Sequence, residues 1–280
     1  MALTAFLYTG RRESPTAKQL GPILPLWNPP MRPPEHCTEV GSFWKRRLVE
    51  RVVLTTGLMI FFVTGYFGVG TSRNLPEARV LTTALDERIP FVAGSVWMYL
   101  WVFPCALIPL FVVRCSHLFR RTAIAYAVVI AISLICFITF PVTSAGLRIA
   151  QAKFDVSVFS QWAVSLLYSI DPPYNLFPCL HLSVASVAAF AIWKASKPYG
   201  SAVFLSVIFI GMSVCTVKQH YLLDVFGGIA LAAFANALVL RPYTPLEGAT
   251  LTYSWRGPAA FVIFALVVYA MFYVAFLCSQ

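Results

Sequence analysis

Charge is what this sequence has least of. Only 11% of its 280 residues are Asp, Glu, Lys or Arg, while 59% are hydrophobic. A soluble globular domain carries about 25% charged residues, so a soluble enzyme and a disordered chain are both excluded. The first 51 residues lack the apolar core of a signal peptide. The seven cysteines (Cys37, Cys105, Cys115, Cys136, Cys179, Cys215, Cys278) form no CxxC pair and no Cys/His cluster along the chain. That excludes a disulfide-stapled secreted module and gives no zinc-ribbon spacing. HExxH is absent too, and so is any internal repeat of the kind transporters show. What remains is a polytopic membrane protein.

Seven apolar runs approach the roughly 20 residues that a helix needs to cross the hydrocarbon core: 52–70, 92–113, 122–140, 180–196, 202–217, 221–240 and 258–278. The fourth is the shortest and is expected to gain length from Lys194, whose stem can snorkel to the interface. The expected fold is an all-α polytopic helix bundle over 52–280, preceded by a tail over 1–51. Seven prolines in that tail predict an extended, solvated segment. It ends in Phe43-Trp44-Lys45-Arg46-Arg47, an expected interfacial anchor.

The net charge of +10 raises the question of nucleic acid, and the positions answer it. Eight of the 21 Lys and Arg precede residue 52, and the others sit mostly in short gaps between apolar runs. These are loop anchors, not a phosphate-tracking stripe. With the N-terminus inside, inner segments hold 15 basic residues and outer segments 6. The positive-inside rule then predicts a cytoplasmic N-terminus and an external C-terminus. In the outer connector 141–180, Val158, Phe159, Trp162, Leu166 and Ile170 recur at helical spacing. They fit an amphipathic helix on the interface or an ordinary connector.

Ionisable groups at membrane depth are costly, and each is a functional hypothesis. His181, His220 and Asp224 all fall on the expected outer face. His220 and Asp224 are four residues apart, hence neighbours on one helical face. A carboxylate there can fix the imidazole tautomer and leave the other nitrogen free to attack. Plainer readings stay open: an interhelical hydrogen bond for a histidine, a helix cap for Asp224, or a zinc or iron site built from the three. His36 and His117 read as solvated loop residues of the inner side.

Ser213 followed by Lys218-Gln219-His220-Tyr221-Leu222-Leu223-Asp224 and Gly227-Gly228 resembles the last signature of the type 2 phosphatidic acid phosphatase superfamily. Asp171-Pro172-Pro173-Tyr174-Asn175-Leu176-Phe177-Pro178-Cys179-Leu180-His181 is similar to its middle signature. It looks closest to the Phe-Pro-Ser-Leu-His form of the inositolphosphotransferase branch, the relatives of inositol phosphorylceramide synthase. Asp86 with Ile89-Pro90-Phe91 also looks like that branch. The resemblance covers roughly residues 85 to 240.

The resemblance implies a six-helix core, with 258–278 as an extra span, and a phosphohistidine mechanism without metal or cofactor. His220 would attack phosphorus, Asp224 would orient it, and His181 would protonate the leaving alkoxide and later activate water or an acceptor alcohol. Val214 stands where the family has Arg, Cys179 where it has Ser, and the first signature is absent. Arg148 in Pro141–Arg148, then Lys218, are the candidate replacement cations, with Ser213, Cys179 and Asn175 as further substrate-binding candidates. The expected protein is a lipid phosphatase or an inositolphosphotransferase-like synthase, acting on a lipid phosphate or phospholipid in the bilayer. Its expected location is a bacterial inner membrane, with the site facing the periplasm or exterior. A catalytically weak or lipid-handling member of the same fold is the competing expectation.

Overall fold

A computed structural model describes residues 44–71, 78–244 and 255–280. The Pro-rich tail with His36, and the side chains of the aromatic and basic anchor, lie outside the described residues. The chain is all-helical: α1 (Trp44–Thr71), α2 (Ala84–Arg88), α3 (Val96–Leu100), α4 (Val102–Val112), α5 (Ser116–Thr139), α6 (Phe159–Ile170), α7 (Leu180–Ala195), α8 (Lys197–Thr216), α9 (Leu222–Ala235) and α10 (Arg256–Ser279). A 3₁₀ turn (Ala93–Ser95) leads into α3, and a π-helical turn (Asn236–Leu240) extends α9.

Among the described residues, six segments are long and apolar enough to span a bilayer: Leu48–Thr71, Ala93–Val112, Ser116–Thr139, Lys197–Thr216, Leu222–Leu240 and Arg256–Ser279. The protein is an integral membrane protein. Its outward side chains suit that solvent, with Ile208, Phe226, Leu266 and Met271 all bare of protein contacts over much of their surface. Water would not tolerate so continuous an apolar exterior.

The fourth expected span differs. Its 16 residues reach about 24 Å at 1.5 Å per residue, short of the roughly 30 Å hydrocarbon core. The reason is its position: α4, α5, α8 and α9 enclose it, and Ala185, Val187, Ala188, Ala189, Ala191 and Ile192 are all fully buried. Small side chains let neighbouring helices approach closely, the usual packing device where lipid offers no hydrophobic drive. Lys194 lies in the last turn of α7. Its Nζ faces the carbonyls of Arg241 (3.5 Å) and Tyr243 (3.4 Å) at the end of the neighbouring helix.

The connector does form a helix, α6. Ala163, Val164, Leu167 and Tyr168 are buried, while Val158 and Ile170 are exposed. Phe159 and Trp162 instead meet α10 through Phe276, at 5.0 and 5.6 Å between ring centroids. His117 is not a loop residue. It sits in the first turn of α5, against the Tyr243 ring.

The extra C-terminal span has a clear packing role. α10 lies against α4 and α6, with Phe261 and Tyr269 beside Trp101, and the Tyr269 hydroxyl donates to the Trp97 carbonyl at 2.6 Å.

Candidate active site

Two helix starts, those of α7 and α9, meet at one end of the bundle. The Cys179 amide, just before α7, donates to the Asp224 carbonyl in α9 at 2.9 Å. Ser183 donates to the Gly228 carbonyl at 3.0 Å. A β-carbon on Gly228 would collide with the Cys179 carbonyl, so only glycine allows this approach.

The turn between α8 and α9 aims His220 at α7. Lys218 adopts a left-handed conformation (φ 58°), and the amides of Gln219 and His220 both donate to the Val214 carbonyl. His220 is thereby buried, with its Nε2 3.1 Å from His181 Nδ1 and its Nδ1 3.4 Å from Asp224 Oδ2. Asp224 is fully buried, and the same oxygen accepts from the Tyr221 amide at 2.9 Å. The second carboxylate of this region, Asp86, starts α9 from outside by accepting the Leu222 amide at 2.8 Å. It also closes a capping box with Thr83.

Behind His181 lies a network that sequence reasoning missed. His181 Nε2 is 2.8 Å from the Tyr99 hydroxyl, which donates to Asp171 Oδ2 at 3.1 Å. Asp171 also accepts from Tyr66 (2.5 Å) and from Gln219 Nε2 (3.1 Å). Burial pushes the Asp171 carboxyl above the ordinary carboxylate range, against the pull of Tyr66 and Arg148.

Proton positions follow from this connectivity. Tyr99 has one proton and gives it to Asp171, so it accepts from His181 Nε2–H. His181 Nδ1 is then an acceptor, and His220 Nε2–H donates to it. With Asp224 beside Nδ1, His220 is an imidazolium at rest. Burial opposes that charge, but Cys179 and Asp224 outweigh it and hold His220 up at about 10. Surroundings that favour a cationic His220 also favour any cation formed on it during reaction.

A model of the PAP2 superfamily matches residues 76–238, more than half of the chain. The chain belongs to the PAP2 superfamily. No curated protein and no solved structure shows significant similarity to it. The matched region of this PAP2 protein contains Cys179, His181, His220 and Asp224 with Tyr99 and Asp171, while Tyr66 precedes it.

The other expected site residues are held by protein groups. Arg148 donates to Gln219 Oε1 (2.9 Å), the Tyr168 carbonyl (3.2 Å) and the Asp171 carbonyl (2.9 Å), and lies over the Tyr168 ring. Lys218 Nζ reaches the carbonyls of Ile89 (2.5 Å) and Asp86 (3.3 Å). Ser213 donates to the Ile210 carbonyl, and Asn175 to the Tyr66 carbonyl. Cys179, by contrast, is brought to the histidines, although the sequence shows no Cys/His cluster. One ligand atom each of Cys179, His181 and His220 lie within 4.8 Å of one another.

A cavity of about 430 Å³ opens beside His181. Tyr66, Tyr99 and Asp171 line its polar end, and Phe62, Leu107 and Phe264 are among its apolar walls.

Proposed function

We propose that this PAP2 protein transfers a phosphoryl group from a lipid through a phosphohistidine on His220. The observation that carries this reading is the 3.1 Å contact between His220 Nε2 and His181 Nδ1, with Asp224 on the far side of His220. When substrate enters, the shared proton moves from His220 Nε2 to His181 Nδ1. One transfer thus frees the nucleophile and charges the general acid. His220 Nε2 attacks phosphorus, the P–O bond to the leaving alcohol breaks, and His181 gives that oxygen its proton. His181 then removes a proton from water or an acceptor alcohol, whose oxygen displaces His220 from phosphorus. Asp224 balances the charge on phosphohistidine, and Asp171 balances the charge on His181 through Tyr99.

The cavity supports a lipid as substrate. Its apolar length suits a hydrocarbon chain, and its polar end stops at His181. A finer reading, head-group transfer as in the inositolphosphotransferase branch, has its own support. The cations expected to bind phosphate, Arg148 and Lys218, are engaged by Gln219 and by backbone carbonyls. A phosphodiester carries one negative charge where a monoester carries up to two, and it needs less cationic compensation. Purified protein offered phosphatidic acid, or a labelled phosphoinositide with ceramide or diacylglycerol, separates the possibilities. Head-group transfer without free phosphate, lost in His220→Ala, is the expected result. Free phosphate from the wild type alone makes the protein a phosphatase. Equal behaviour of wild type and variant overturns the phosphohistidine reading.

A further inference from the structure

We infer that Cys179, His181 and His220 form a binding site for a zinc-class divalent ion, and that the bound ion blocks the site proposed above. The binding claim stands on the three ligand atoms, while the block rests on the phosphoryl-transfer reading.

A thiolate with two imidazoles suits zinc, which takes sulfur and nitrogen ligands in tetrahedral geometry. Zn–N bonds of about 2.0–2.1 Å put two ligand nitrogens roughly 3.3 Å apart at a tetrahedral angle. His181 Nδ1 and His220 Nε2 are already 3.1 Å apart, and the third ligand atom lies within 4.8 Å. The ring centroids are 5.3 Å apart, so the two nitrogens point at each other, and an ion replaces their hydrogen bond by turning both rings towards it and drawing the three ligand atoms closer together.

The surroundings complete the case. Metal-bound histidines usually direct their second nitrogen at a carboxylate or another polar partner that fixes the ring. His220 Nδ1 faces Asp224, and His181 Nε2 faces Tyr99, itself held by Asp171. Cys179 is fully buried at the start of α7, so its sulfur has little freedom to move away. Three protein ligands leave a fourth position open, and one of them, His181, lines the neighbouring cavity. Binding takes the sulfur as a thiolate and displaces the proton shared by the two rings. The ion then occupies His220 Nε2, the atom that must attack phosphorus.

The test uses the full chain in detergent, freed of metal by a chelator and titrated with Co²⁺ as an optical probe. One equivalent is expected to give a thiolate-to-cobalt charge-transfer band in the near ultraviolet, with visible bands of four-coordinate cobalt. Cys179→Ser is expected to lose the charge-transfer band. Tyr99→Phe is expected to keep it while binding Co²⁺ about 10- to 100-fold more weakly. No band in the wild type, or a band that survives in Cys179→Ser, overturns the proposal. A Tyr99→Phe affinity equal to wild type does so even if Cys179→Ser fails to fold. Zinc at ten times its Kd should lower wild-type turnover roughly tenfold, as mass action requires. A metal-free protein that turns over no lipid substrate defeats the phosphoryl-transfer reading, while the cobalt spectrum still decides the ion site.

Discussion

Asp171 gathers more of the site than any other side chain. It accepts from Tyr66, Tyr99 and Gln219, and its backbone carbonyl accepts from Arg148. Through Tyr99 it bears on His181, so in the proposed phosphoryl transfer it positions that ring without touching phosphorus. Hydrogen bonds to charged groups contribute about 1.5–3 kcal/mol, roughly tenfold to a hundredfold in rate. Tyr99→Phe and Asp171→Asn are therefore expected to lower kcat by that factor, with KM nearly unchanged, in steady-state assays on a lipid substrate. A rise in KM with kcat intact would assign them to substrate binding instead. The sequence put His220 and Asp224 on one helical face, whereas His220 lies in the turn before α9 and that turn brings it to Asp224. Asp171 was not legible there: its partners Tyr66, Tyr99 and Gln219 stand 105, 72 and 48 residues away. No periodicity carries that information. Cys179 was legible as a replaced serine but not as a neighbour of His220, which only the docking of α7 on α9 creates.

At the scale of elements, the closeness of α7 and α9 controls the site. Gly228 sets it, since any side chain there meets the Cys179 carbonyl rather than a yielding side-chain tip. Gly228→Ala is expected to cost about 1–3 kcal/mol by overpacking, read as a lower melting temperature in detergent. Gly211→Ala is the control, because the nearest atom to its β-carbon would be Leu182 Cδ1 at 3.5 Å, an ordinary contact. That variant should melt no lower than wild type, since alanine also favours a helix interior over glycine. Equal melting of the two variants would show that the α7–α9 approach is not set by Gly228. Apolar run length identified six spans well. The fourth expected span is the shorter apolar helix α7, enclosed by other helices. Run length did not reveal the partner of α6, since α10 arrives from nearly the far end of the chain to meet Phe159 and Trp162.

For the whole molecule, the bundle holds a buried, polar, carboxylate-backed histidine pair at one end and an apolar cavity that leads to it. Val184 lies one turn below His181 and lines that cavity. Val184→Phe is expected to raise KM for a long-chain lipid substrate severalfold, and to leave a short-chain analogue unaffected. The comparison of chain lengths in one assay checks this, and an equal effect on both would place the chain elsewhere. The account as a whole rests on His220 becoming covalently phosphorylated. The most direct measurement quenches the protein in base after brief exposure to a lipid substrate with labelled phosphorus, then maps the label by mass spectrometry. A base-stable, acid-labile label on His220, absent in His220→Ala and accumulating when no acceptor is supplied, is the predicted result. Substrate turnover with no label on His220 would contradict the account.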